Sequence, residues 1–398
     1  MASHGSAASV RKFEPTQKMK TFAFAFTGLG ALGFLVGLMQ NPSRLWPAYL
    51  TAFFFVACLS LGGLFFVAIN NIAKAGWSVG IRRFAEALTA FFPVIFLGSM
   101  VLLAGLKHLY PWVDEKVLQK SELISGKLPY LNVPFLVLRL VIFSGGMWIF
   151  KSLIVGHSLK QDSDAQVSHT HRNVALSIAW VLFFALSFSL FSVDLLMSLL
   201  PTWYSTIWGV YCFAGMAQSV MALLILILLY IKKAQLAPGY VSIEHIHDCA
   251  KYLKGFTVFW AYIAFSQFLL IWYANIPEET EFYIMRAQNG WTAVTVSLLI
   301  FKFIVPFLAL LPRWAKRSES HLVMVCSLVL VMQYVDVYWM VFPNFNENHL
   351  TFGFYEVSML LGFLGLFAVL VMRFLQRHSI VAVKDPRMSE ALSHHVVY

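Results

Sequence analysis

Charge is scarce in this sequence. Asp, Glu, Lys and Arg make up 12% of its 398 residues, against 59% apolar ones, where a soluble chain carries about a quarter charged residues. That scarcity excludes an ordinary soluble globule. Cysteine is scarce too: Cys58, Cys212, Cys249 and Cys326 are the only four, with no C-x-x-C spacing. They read as small packing residues, not iron–sulfur ligands. All twelve histidines, from His4 to His395, fall in loops or at the ends of apolar runs, so the axial ligands of a membrane b-type haem are missing. Long connections are absent as well. The longest are 107–131, 155–173 and 232–253, none able to hold a soluble domain, so any redox or hydrolytic domain must come from partners.

Apolar runs, by contrast, are abundant. A helix needs about 20 apolar residues to cross about 30 Å of hydrocarbon, and ten runs qualify: 21–39, 47–70, 88–106, 132–154, 174–199, 206–231, 254–274, 291–311, 321–342 and 352–373. Lipid offers unpaired backbone groups no partner, so the expected fold is an all-α integral membrane protein of ten transmembrane helices. The net charge of +10 could point to nucleic acid, but the cations lie in short loops. Most Lys and Arg sit in segment 1–20, in loops after even-numbered spans and in the tail 375–398. The positive-inside rule therefore places both termini in the cytoplasm. The first run has no small-residue cleavage site and nine spans behind it, so it reads as a helix, not a signal peptide.

One spacing occurs twice. Val193-Asp194, near the end of span 5, precedes Pro201 by seven residues from the aspartate, and Val335-Asp336, near the end of span 9, precedes Pro343 by the same interval. Spans 4 and 8 each carry a cation, Arg139 and Lys302. The echo predicts two parallel four-helix repeats, 47–205 and 206–343, with peripheral helices at 21–46 and 344–374.

A charge at mid-bilayer costs roughly 2.5–3.5 kcal/mol on insertion scales, so Arg139, Asp194, Lys302, Asp336 and Glu356 should face the bundle interior. At about 1.5 Å per residue, four of them fall at one level near the outer face, with Lys302 deeper. One reading makes Arg139–Asp194 and Lys302–Asp336 ion pairs that fix helix register. The other makes the acids a proton path or a quinone head-group site, with Tyr262, Ser266 and Gln267 of span 7, Ser192, Ser198, Tyr334 and Tyr338 as further candidates. His157, His245, His247 and Asp248 form a candidate cytoplasmic proton entrance. The outer loop bearing Glu278, Glu279 and Glu281 could dock a basic cytochrome or gather protons. "SHTHR" and "IEHIHD" read as solvated histidines, not metal ligands. "GLGALG" (28–33) matches a dinucleotide fingerprint in letters only, since no strand precedes it. Gly33-xxx-Gly37 instead offers a close-packing helix face, and Trp46, Trp112, Trp203, Tyr204, Trp272, Tyr273 and Trp291 suit an interfacial belt.

Three stretches carry a resemblance: "SVDLLMSLLPTWYSTIWGVYCFAG" (192–215), "IHDCAKYLKGFTVFWAYIAFSQFLLIWYANIPEE" (246–279) and "MQYVDVYWMVFPN" (332–344). The chain resembles the NrfD-like/polysulfide reductase membrane subunits, and within them most closely the second quinone-binding subunits of bacterial alternative complex III. That resemblance implies two four-helix bundles flanked by two helices in a bacterial inner membrane. It also implies partners: a sister NrfD-like membrane protein, an iron–sulfur protein, multihaem and monohaem c-type cytochromes, small membrane-anchored proteins, a terminal oxidase and lipid. Haem c and iron–sulfur clusters would belong to those partners, and quinone or quinol would be the only cofactor met by this chain. In that family quinol is oxidised near the outer face, and Asp194 matches the aspartate at the quinol site of the sister protein. No intramembrane histidine stands beside Asp194, a departure that makes this chain a quinone-binding or proton-conducting companion, not catalytic alone. A stand-alone secondary transporter and a purely structural anchor are the alternatives.

Overall fold

The computed structural model describes residues 10–346 and 349–395; His4 and the last residues of the tail lie outside them. Among the described residues the chain is helical without strands. Ten helices are long and apolar enough to cross a membrane: α1 (Gln17–Gln40), α2 (Pro42–Ile72), α3 (Gly76–Leu109), α4 (Val133–Asp164), α5 (Val167–Leu199), α6 (Trp208–Lys233), α7 (Ile243–Ala274), α8 (Trp291–Ala309), α9 (Glu319–Asn344) and α10 (Phe354–Arg377). The chain is thus built as a multi-pass membrane protein. An even number of crossings leaves both ends of the array on one side. That side, with the α2–α3, α4–α5, α6–α7 and α8–α9 turns, is the basic face; the opposite one, with the tight α5–α6 connection, is the corner face.

Helix α2 is buried along nearly its whole length, α6 and α9 over most of theirs, so these three form the centre. Helices α3, α5, α9 and α10 pack on α2, and α7 on α6. Helix α1 lies against α10 through glycine. A Cβ on Gly30 would collide with the backbone of Gly362, and one on Gly33 with the Ser358 side chain. The small-residue face expected around Gly33 and Gly37 is therefore an α1–α10 contact, with Gly37 against Leu45 of α2.

Helices α3 and α8 each depart from regular α geometry just before a proline. Helix α3 has a 3-10 turn at Thr89–Phe91 just before Pro93. In α8, Leu298–Ile304 is a π-helix that ends just before Pro306. Pro306 has no N–H for the carbonyl four residues back, that of Lys302, and its ring crowds that carbonyl. The Lys302 carbonyl accepts instead from Gln218 Nε2 at 3.1 Å. π-Helical turns are rare and recur at functional sites.

One boundary expected from the sequence is corrected. Span 3 begins at Gly76, not Leu88, because Arg82, Arg83 and Glu86 are helical and buried. They neutralise one another and two acids from elsewhere. Arg83 bonds Glu86 at 2.6 Å and Asp162 at 2.5 Å, while Arg82 meets Asp385 at 2.8 Å. The tail supplies that last partner. Ile380, Val381 and Ala382 are buried, Lys384 Nζ donates to the Ser163 carbonyl at 2.7 Å, and His394 reaches Asp248 at 2.6 Å. The tail is thus a strap across the basic face.

Candidate functional site

The five intramembrane charges all find partners, in three separate arrangements. The first joins α4 to α5. Asn132 caps α4 by accepting from Phe135 N at 2.9 Å, which sets Arg139 two turns into the helix. Its guanidinium grips Asp194 bidentately, Nε to Oδ2 at 2.8 Å and Nη2 to Oδ1 at 2.9 Å, the strong fork geometry of an arginine–carboxylate pair. The remaining donor, Nη1, goes to the Tyr130 carbonyl at 3.0 Å. The rings of Tyr130 and Phe135 cover the guanidinium at 3.9 and 4.3 Å. Asp194 is 1% exposed.

A cavity of about 280 Å³ adjoins this pair, lined by Lys127, Tyr130, Val193, Met197, Trp203 and Tyr204 among others. Lys127 donates to the Pro201 carbonyl at 2.6 Å, and burial lowers its pKa. The Tyr130 hydroxyl is buried and turned toward the Asp194 carboxylate, short of a well-formed hydrogen bond. The cavity wall thus holds a phenol whose hydroxyl faces the carboxylate of the ion pair.

The second arrangement joins α8 to α9 and is sealed. Lys302 Nζ meets Asp336 Oδ2 and donates to Gln333 Oε1 at 2.7 Å. Tyr211 of α6 donates to Asp336 Oδ1, and Trp260 of α7 donates to Oδ2 at 3.2 Å. The Trp260 ring also covers the ammonium at 4.4 Å. Both charges are essentially unexposed.

The third arrangement serves helix ends. Glu356 takes Arg44 bidentately at 2.9 Å through both oxygens and accepts from Gly353 N at 2.7 Å, a capping arrangement for α10. Sequence reasoning missed Arg44, which stands 312 positions away; its place just after the α1–α2 turn resembles any loop cation. It also missed Arg286. That guanidinium donates to the carbonyls of Phe282, Trp339 and Met340 at 2.8–3.0 Å and lies 3.5 Å from the Phe282 ring. It thereby caps the negative end of α9. Burial pushes its pKa down to about 9, so it stays protonated at neutral pH.

The remaining predicted residues are not gathered with the pairs. Tyr262 is 65% exposed on the outward face of α7. Ser266 is half-buried on the same helix, and Gln267 is buried with its amide oxygen unpaired. Ser192 and Ser198 bond back to carbonyls of their own helix, Ser189 and Asp194. Tyr334 donates to the Glu356 carbonyl and Tyr338 to that of Thr351, so these hydroxyls tie backbone together and do not bridge one acid to the next. Of the outer acids, Glu281 accepts from Thr202 at 2.9 Å and the Glu279 carbonyl from Trp203 at 3.0 Å. The helix Pro277–Met285 is thereby fastened to the α5–α6 corner, with Glu278 exposed.

The four residues named on the basic face fall in two places. His157 bonds His169, which bonds Asp164 at 2.8 Å. His245 is buried and accepts from Ser242; His247 is buried beside it in sequence, and Asp248 pairs with Lys251 and His394. Among the described residues no three metal-ligating side chains converge. All four cysteines are buried and unpaired. No family model matches the chain, and no curated protein does.

Proposed function

We propose that the chain is a membrane subunit of a respiratory quinol:cytochrome c, or other high-potential acceptor, oxidoreductase of the alternative complex III type, acting as a quinone-binding or proton-conducting companion of the protein that oxidises quinol. The observation that carries this reading is the cavity beside the Arg139–Asp194 pair. It is the right kind of place for a quinone head group: aromatic walls, the buried Tyr130 hydroxyl, and the Asp194 carboxylate that this hydroxyl faces. A bound quinol would supply electrons to clusters and haems of partner proteins. This chain's part is to hold the ring between Tyr130 and Trp203, to offer the Tyr130 O–H to a ring oxygen, and to take up a proton at an Asp194 carboxylate oxygen while Arg139 keeps that carboxylate oriented. Burial favours the neutral form of a carboxylate and a neighbouring cation favours the charged one, so a pair of this kind can be poised to exchange protons.

In this reading the two acid–cation pairs mark two parallel four-helix repeats, the basic face is cytoplasmic, and the membrane is the bacterial plasma membrane. The corner face would meet the sister NrfD-like protein and the iron–sulfur and c-type cytochrome partners. The test is Asp194→Asn in the purified complex. Quinol oxidation or the number of protons moved per electron should fall. Unchanged turnover and coupling would leave the pair a register device only.

A stand-alone secondary transporter is the competing reading, favoured by the interruptions of α3 and α8, since broken helices line transporter sites. Purification separates the two. Co-purifying c-type haem supports the complex; a colourless chain that binds a solute supports transport.

A further inference from the structure

We propose that the groove between Trp77 and α7, on the basic face, binds the head and one chain of a phospholipid bearing a primary ammonium, a zwitterionic aminophospholipid. The groove encloses about 450 Å³ and is lined by Asp248, Lys251, Tyr252, Gly255 and two phenylalanines below them, with Trp77 opposite. The α7 residues recur at helical spacing and so share one face. From Asp248 to Phe259 that face descends about 16 Å at 1.5 Å per residue, from the level of head groups toward the acyl region.

Charge at the mouth decides the class of head group. Asp248 and Lys251 sit side by side at 2.5 Å, so the mouth is locally neutral but strongly dipolar. A zwitterion can lie antiparallel across that dipole, its phosphate on Lys251 and its ammonium on Asp248. Lys251 is half-exposed, with room to turn outward, whereas Asp248 is held by His394 from behind. A singly anionic head group would meet Asp248 unfavourably. A quaternary ammonium has no N–H to give it. The nearly parallel rings of Trp77 and Tyr252, 6.1 Å apart, add aromatic faces that attract an ammonium. Below the mouth the wall is bare. A Cβ on Gly255 would meet nothing within 4 Å, which leaves a channel for a chain against Phe256 and Phe259. The Phe213 ring packs edge-on behind both. This inference does not depend on the redox reading.

The full chain, reconstituted in phosphatidylcholine vesicles doped with spin-labelled phosphatidylethanolamine or phosphatidylglycerol, tests it. The motionally restricted fraction should favour phosphatidylethanolamine about threefold, the scale of a partly exposed ion pair. Gly255→Leu, which fills open space, should abolish that preference without changing the melting temperature, and Lys251→Glu should abolish it as well. Equal restriction of all lipids in the wild type, a preference for phosphatidylglycerol, or full selectivity in Gly255→Leu would each overturn the proposal.

Discussion

Asp194 and Asp336 each stand seven residues before a proline, and each meets a cation from the preceding helix. Their surroundings differ. Asp336 is held by three side chains, one each from α6, α7 and α8. Asp194 is gripped by Arg139 with the Tyr130 hydroxyl turned toward it, and a cavity lies on the Tyr130 side of the pair. The cations match this contrast. Arginine's planar fork satisfies both carboxylate oxygens alone, so few neighbours are needed and space is left. Lysine offers a single ammonium, and a buried ammonium–carboxylate pair must recruit further donors and acceptors to be tolerated. The Lys302–Asp336 pair fixes four helices together; the Arg139–Asp194 pair ties two, with a cavity beyond Tyr130.

The largest effect that would break this comparison is expected at the sealed pair. Lys302→Met strands a buried carboxylate and should destabilise the protein by about 3–5 kcal/mol, read as thermal unfolding in detergent. Adding Asp336→Asn should recover much of that loss. Asp194→Ala should cost less, about 1–3 kcal/mol, because the Tyr130 carbonyl and the Tyr130 and Phe135 rings still hold the freed guanidinium. Equal losses at the two sites would erase the distinction between open and sealed. Gln218→Leu removes the donor that serves the Lys302 carbonyl and should cost about 1 kcal/mol, while Gln333 and Asp336 still hold the ammonium. The smallest change is expected from Ser198→Ala, within about 0.5 kcal/mol. Its hydroxyl only bonds back to the Asp194 carbonyl.

The spans were legible in the sequence because uninterrupted apolar runs leave the backbone no choice but helix in lipid. The pairing of Arg139 with Asp194 and of Lys302 with Asp336 was legible for a similar reason, since buried charges must meet and few were available. Arg82, Arg83 and Glu86 were not, because a cluster of mixed charge looks like a solvated loop until Asp162 and Asp385 arrive from distant segments. The same holds for Arg44 with Glu356. The sealing of Asp336 also escaped: Tyr211 and Trp260 read as ordinary apolar aromatics, and only the tertiary packing aims their O–H and N–H at one carboxylate. Proline at 306 was visible, but its displacement of the Lys302 carbonyl onto Gln218 depends on where α6 lies.

The π-helix of α8 holds slightly more chain per turn than its neighbours. Each residue of an α-helix advances about 100° around the axis, so rewinding 298–304 as regular α-helix with every residue kept would swing everything before it by about that angle relative to Pro306. Trp291, which donates to the Asn346 carbonyl, and Thr295, which accepts from Trp339, would then turn away from α9. The π turn therefore takes up one residue while both flanks keep their faces, and a one-residue shortening inside it should be tolerated better than the same deletion in a regular stretch of the helix.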